Sequence, residues 1–496
     1  MARTGDAEAQ CQLGVALAKG IGFKQDKKEA VQWFKKAASQ GNVAAQFNLG
    51  LSYEQGRGVK QDDAMAFTYY RQAAEAGFTD AQYNLSLMYE SGRGTKRDAG
   101  EAVEWLIKAA QGNNPKAQYA LARRYEEGDG IAKNEQKAAE WYHKAASQGD
   151  GRAQTNLGTM YANGRGVSRD MKEAEKWFRL AAENGRADGQ YNYGVICMNN
   201  LEGKSRTDEM FKWFKKSSDQ GFAPAQFDLG LMYIRGDGVD RNVEKAIVLF
   251  KKSAEKGFDD AQNMLGIIYL QGKVVKQDLE EARKWLRKSV AQGNLNALYD
   301  LGTTYIPTAN SVPEDKKKMM KCIRESAEKG CARAQYFLGM MCFRGDFFPK
   351  DYTEAVKWYQ LSAKQGNAEA QYAMGALYEN GIGVAKDIKK AFKWYRMAAE
   401  NGNPSAQTYL GSAYAQGIGV KLDYKIAVKW FRKAAEQGDV LAQYNLAMAY
   451  ANGDGVKQDY EQAAIWLMRS AAGGYEPAKK ALPPEVRAKM EKDGIF

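Results

Sequence analysis

The pair Ala-Gln, or a close variant, returns at a fixed spacing through the whole chain, and that spacing limits the fold more than any other feature. Its first residue falls at Ala9, Ala45, Ala81, Ala117 and Ala153, then Gly189, then Ala225, Ala261, Ala297, Ala334, Ala370, Ala406, Ala442 and Ala478. Every step is 36 residues except one of 37, which makes thirteen full units. A fixed period in this range marks a repeat architecture, so each residue must be weighed against its column of equivalents before any motif is interpreted. Columns are named below by their number in the second unit.

Each unit reads as two helices. The first, helix A, is exemplified by "AAQFNLGLSYEQ", with small or apolar residues at 45, 49, 50 and 53 on one stripe of a 3.6-residue period. Helix B opens at Asp62 and its equivalents, often in capping-box form: "DKKE" at 26, "DAGE" at 98, "DMKE" at 170 and "DLEE" at 278. It turns Ala66, Tyr70 and Ala73 toward helix A and ends at a glycine such as Gly41 or Gly77, suited to a left-handed cap. All ten tryptophans share one helix B column, as expected of a residue that packs units together rather than serving one site.

Between the helices lies "GRGVKQD" at 56–62, which looks like a phosphate-cradling loop. It recurs in altered form at 92, 164, 236, 381, 417 and 453 and follows a helix, whereas a nucleotide fingerprint needs a preceding strand. Its glycines are expected to turn the chain between antiparallel helices. A second decoy, "MNNLEGKS" at 198–205, has Met198 where a P-loop needs its first glycine.

These features, A-Q-x-x-L-G-x-x-Y-x-x-G-x-G-V-x-x-D followed by A-x-x-W-x-x-K-A-A-x-x-G, resemble the Sel1-like repeat family, which is similar to tetratricopeptide repeats with a longer inter-helix loop. The resemblance runs from about residue 7 to 477. It implies an all-α fold, a right-handed α-solenoid superhelix of about thirteen helix-turn-helix repeats. It also implies an adaptor that assembles protein complexes, as bacterial members do with host or envelope partners. Residues 1–8 would start the first helix, 9–477 would form the thirteen repeats, and 478–496 would add a capping helix from about Pro484. Some relatives carry a disulfide in every unit; the five cysteines here, at 11, 197, 322, 331 and 342, follow no such spacing and read as reduced thiols. Cys197 and Cys342 fall in the core column of Tyr53.

The charge balance, 72 Lys and Arg against 60 Asp and Glu, is interleaved along the chain, and the run "EDKKKMMK" at 314–321 reads as a solvated helix face rather than a nucleic-acid site. No apolar run is long enough to span a membrane. The start lacks a signal-peptide core, so the chain reads as cytoplasmic, or periplasmic or secreted if a signal has been removed. Catalysis is not expected. The one histidine, His143, replaces a surface cation of its column, and the recurrent carboxylates are caps and exposed positions, leaving no distinct acid–base pair for a hydrolase. Neither cofactor nor metal is implied.

The expected binding surface is a concave groove lined by helix A columns 44, 47, 51, 54 and 55. Column 47 is aromatic in nine of twelve units, including Tyr191, Phe227, Tyr299 and Tyr336; these rings either contact a partner, bridge adjacent units, or do both. Column 54 carries Glu54, Glu90, Glu126 and Glu379 toward the ends but Met198, Ile234, Leu270, Ile306 and Phe343 in the middle. With Leu231, Ile267 and Met340 of column 51, these predict an apolar patch that docks a protein or peptide segment on a monomeric chain. The irregular stretches at 197–210 and 305–318 flank it, as functional loops or as drift. A scaffold is the leading reading, with a bacterial immunity protein that wraps and neutralises a toxin as the rival.

Overall fold

Helix-forming stretches bounded by an acceptor side chain and a glycine build the whole chain. The computed structural model describes residues 5–199, 204–306, 313–346, 349–492 and 494. Among the described residues there are 28 helices and no strand, in the order of an α-solenoid. Thirteen consecutive pairs, from Ala7–Lys19 with Lys27–Ser39 to Val440–Asn452 with Tyr460–Ala472, are followed by Glu476–Ala481 and Pro484–Lys492. The helices gather into two compact halves, Met1–Lys256 and Gly257–Phe496.

Most helices are 13 residues long, about 20 Å at 1.5 Å per residue, because the caps recur at fixed places. Asn42 accepts from the amide of Ala45 to start one helix A, and Asp62 from that of Met65 to start the following helix B. Helix A ends on Gly56 in the left-handed region. The second glycine of the loop has a different duty: at Gly58 a Cβ would lie 2.0 Å from the carbonyl oxygen of Lys27, at the start of the preceding helix B. The G-x-G spacing therefore joins one turn to one close approach of backbones. The amides of Gly56 and Arg57 are bonded to the Ser52 carbonyl, so they are not aimed at an anion.

The expected capping boxes form by half. Asp26 and Asp98 cap their helices, but their own amides donate to Leu17 and Tyr89 carbonyls and close the loop. The glutamates Glu29 and Glu101 accept instead from the indole N–H of Trp33 and Trp105. The tryptophans do lie between pairs: Trp177 packs with Tyr142 of the preceding helix B, and Trp466 with Phe431.

Inside a pair, a small residue of helix A meets a large one 20 positions later. A Cβ on Gly50 would lie 2.5 Å from Tyr70 Cδ1, and one on Gly230 2.6 Å from Phe250 Cε1, so the glycine lets the helices close on the ring. Between pairs, the glutamine of the Ala-Gln motif acts as a staple. Gln371 Nε2 donates to the Ala363 carbonyl of the preceding helix B, and its Oε1 accepts from Asn401 at the end of its own. The same arrangement recurs at Gln118, Gln154 and Gln407. Gln371 is buried, but the Ala363 carbonyl still accepts from the Gly366 amide and Asn401 is exposed to water, so Gln371→Ala loses two hydrogen bonds without stranding a partner and is expected to destabilise by about 1–2 kcal/mol. A urea midpoint unchanged from wild type would remove the staple from the account.

The C-terminal pair of short helices places Ala478, Leu482 and Met490 in one buried cluster with Ala471. Cys11, Cys322, Cys331 and Cys342 are free thiols, and Cys197 is buried like Cys342 in the tyrosine column.

Candidate protein-binding surface

The rings of column 47 lean on helix B of their own pair and on the next pair. In the N-terminal half, Tyr191 stacks 5.5 Å from Phe214 and lies 5.4 Å from Phe222, and its hydroxyl donates to Asp228 at 2.8 Å. Phe227 lies 5.5 Å from Phe250. In the C-terminal half, Tyr336 tilts 5.7 Å from Tyr359, and Tyr299 sits edge-on 5.8 Å from Phe337, with the Arg333 guanidinium 4.7 Å from its centroid. Burial pushes the phenols of Tyr299 and Tyr336 up, keeping them neutral. All four rings are half-buried, with faces occupied by neighbouring side chains.

Columns 51 and 54 divide by exposure. Met198 in the N-terminal half and Ile306 in the C-terminal half are exposed, at 42% and 46%. Leu231 and Ile234 in the first half, and Ile267, Leu270, Met340 and Phe343 in the second, are half-buried. Met340 and Phe343 pack on the cluster of Cys342, Tyr359 and Met374. Residues 200–203 and 307–312 of the irregular stretches, with half of the P-loop decoy, lie outside the described residues.

Column 54 takes part in a three-way joint between consecutive pairs. Glu54 accepts from the Tyr70 hydroxyl at 2.7 Å and pairs at 2.6 Å with Arg93 of the next loop, which also lies 3.9 Å from Asp63. Burial, then the bond to Glu54, drives the Tyr70 phenol upward, so it remains the proton donor. Glu126, Tyr142 and Arg165 repeat the arrangement. At the corresponding joint in the C-terminal half, all three ionic positions have become apolar together: Phe343 lies 5.3 Å from Tyr352, and both Phe343 and Ile382 pack on the same cluster. Packing thus accounts for Phe343, whereas Ile306 and Met198 remain in solvent.

The irregular repeat contains a charged pair that no sequence motif marks. Asp300, buried on helix Leu295–Thr303, accepts from both terminal nitrogens of Arg333 at 2.9 and 3.1 Å. Burial pushes its carboxyl up against the opposing pull of Arg333. The available signal was an aspartate in a column where asparagine is the most frequent residue, one repeat before an arginine in column 44. His143 is exposed, 5.4 Å from Trp177 and 3.5 Å from the Ser147 hydroxyl, with no carboxylate hydrogen-bonded or ion-paired to it among the described residues. No group of three or more His, Cys, Asp or Glu is placed to hold a metal among the described residues, and no described helix is long and apolar enough to cross a membrane.

The model of the Sel1 repeat matches residues 7–42, 43–78, 79–114, 115–150, 151–185, 187–222, 223–258, 259–294, 332–367, 368–403, 404–439 and 440–475. The chain belongs to the Sel1 repeat family. Residues 295–331, which the match passes over, still fold as a pair, with a 9-residue helix Leu295–Thr303 and a 16-residue helix Pro313–Glu328 in place of the usual lengths. No curated protein matches the chain. Among solved structures it is similar to c5321, a protective antigen of uropathogenic Escherichia coli strains with an SLR fold, at 33% identity over 99% of this chain and 95% of that one, TM-score 0.46. It is also similar to a Sel1 repeat protein from Oxalobacter formigenes, at 32% identity over 62% of this chain and 88% of that one, TM-score 0.41. A third, the immunity protein Pa5087 of Pseudomonas aeruginosa, is 22% identical over 44% of this chain and 82% of that one, TM-score 0.34. Sel1 repeats, like the tetratricopeptide-type fold they share, are generally protein-interaction scaffolds.

Proposed function

We propose that this chain is a non-enzymatic scaffold that takes a segment of a partner protein against the apolar faces of its A helices. The exposure of Ile306, mirrored by Met198 in the other half, carries the reading. Their column accepts glutamate in other repeats, so no packing demand holds an aliphatic side chain there. Half-buried Leu270, Ile267 and Met340 belong to the same two columns in the C-terminal half, and the tyrosines Tyr299 and Tyr336 bring polar tips beside them.

Ile306→Glu with Leu270→Glu introduces the residue type that Glu90 already places opposite a leucine, Leu106, and should leave thermal unfolding near wild type. Affinity capture from the native source, followed by titration of the recovered partner, is expected to show about tenfold or greater weakening, the scale of losing a central apolar contact. Unchanged capture by the folded variant rejects the surface. Recovery of one dominant enzyme whose activity falls on binding would narrow the scaffold to a neutralising inhibitor.

A further inference from the structure

In the C-terminal half the edge formed by the inter-helix loops and the first turn of each helix B carries a run of exposed apolar side chains, and in the N-terminal half Ile21, Phe23 and Met171 are exposed at the same edge. The first residue of helix B is Tyr352, Ile388, Tyr424 and Tyr460 in the last four pairs, all exposed, where repeats of the N-terminal half carry Asp63, Ala99 and Glu135. In the loop, Ile418 is 58% exposed and Leu422 49%, at columns where arginines such as Arg57 and Arg97 stand earlier. These points are neighbours in space. A Cβ on Gly383 would lie 2.6 Å from the Tyr352 carbonyl oxygen, and one on Gly455 2.3 Å from that of Tyr424, so each loop rests on the preceding helix B start.

Around Ile388, Ile418 and Leu422 the charge is mainly positive, with Lys386, Lys389, Lys390, Lys421 and Lys425 against Asp387 and Asp423, whereas Asp459 and Glu461 flank Tyr460. Lys386, Lys389, Lys421 and Lys425 are exposed and form no ion pair among the described residues. The carboxylates nearest in sequence, Asp387 and Asp423, are held as helix caps by the amides of Lys390 and Ile426. A row of protruding aliphatic and tyrosine side chains with unpaired lysines between them complements a surface that is negatively charged at its face and apolar just beneath. Tyrosine and lysine both suit such a boundary, the ring or stem in the apolar layer and the polar end in water.

We propose that this loop edge docks peripherally on an anionic lipid surface, with Ile388, Ile418 and Leu422 entering the acyl boundary and the lysines meeting the headgroups. This surface is separate from the helix A face assigned to the protein partner. An acidic protein segment shares the charge but would be served by a recess, and the apolar points among these lysines, Ile418 at 58% and Ile388, stand out into solvent.

The test is co-sedimentation of the full chain with vesicles of phosphatidylcholine alone and of an equal mixture of phosphatidylcholine and phosphatidylglycerol. Binding is expected only to the mixture, weakening as salt is raised. I388S/I418S/L422S and K389E/K421E/K425E, each checked for an unchanged melting curve, should each lose about tenfold or more in partitioning. The control K60E/K96E/K172E makes the same charge change on the loop edge of the N-terminal half and should keep most of the binding. Absence of binding to the mixture overturns the proposal, as does an equal loss in the control. Binding of an alternating Glu-Leu peptide through the same lysines, with vesicles ignored, would make the edge a protein dock and equally sink it.

Discussion

Arg333→Ala is expected to lower stability by about 3–5 kcal/mol at neutral pH, far more than a surface arginine normally contributes. The reason lies with the partner left behind. Asp300 has a side chain only 4% exposed, and its two oxygens face the guanidinium at 2.9 and 3.1 Å. Without Arg333 the carboxylate stays buried with its principal counter-charge gone. The pH dependence follows from burial, which already lifts this carboxyl above its ordinary value despite Arg333. Removing the arginine lifts it further. A carboxyl whose folded pKa exceeds its unfolded one binds more protons when folded, so its destabilising effect is absent below the unfolded value, about 3.9, and grows as pH rises through the window between the two. The deficit of Arg333→Ala should therefore be largest at pH 7 and shrink toward about pH 4. Adding Asp300→Asn removes the stranded charge and should recover most of the loss at neutral pH. Urea titrations of wild type, the single variant and the double variant at both pH values measure this. A small, pH-independent deficit would mean that the pair is solvated and contributes little.

That pair also marks the limit of what the sequence made legible. The period, the two helices, the caps and the tryptophan column follow from rules that act within about one turn or one face, so one repeat compared with the next reveals them. Contacts across repeats depend on how far one helix pair is rotated against its neighbour, and that phase is absent from a column of residues. Glu54 reads as a groove position until Arg93, 39 residues on, and Asp63 are seen to meet it at one joint. The middle-column change from glutamate to apolar residues then has two causes: concerted repacking at Phe343, Ile382 and Tyr352, and exposed exceptions at Ile306 and Met198. The glutamine staple was hidden for a similar reason, since a buried amide carries no hydrophobic period and its acceptor, such as Ala363, is a backbone carbonyl. Asp300 and Arg333 each resemble drift in a divergent repeat, and only their distance joins them.

Phe250→Ala should be among the most damaging single substitutions in the N-terminal half, at about 3–5 kcal/mol, the range for an aromatic ring removed from a closed core. Phe250 has no measurable exposure, and its ring lies in the space that a side chain on Gly230 would fill. Nothing nearby can refill that space without moving a helix, because Gly230 contributes no side chain and Phe227 is already in contact at 5.5 Å. Approached from the other side, Gly230→Ala sets a Cβ 2.6 Å from Phe250 Cε1 and is expected to cost about 1–3 kcal/mol through overpacking. The two changes should then be coupled. Of the three repeats with another residue in place of the glycine, two face a leucine, Ser86 with Leu106 and Ala447 with Leu467, while Ala122 faces Tyr142; by the two leucine cases, Gly230→Ala with Phe250→Leu should be less destabilised than the sum of its parts. Because each repeat is supported only by its neighbours, the loss stays local and should separate unfolding into two steps, the earlier reported by the fluorescence of Trp213, which shares the adjoining core cluster. Strict additivity of the two substitutions, or a single transition at wild-type midpoint for Phe250→Ala, would show that the glycine and the ring do not set each other's space.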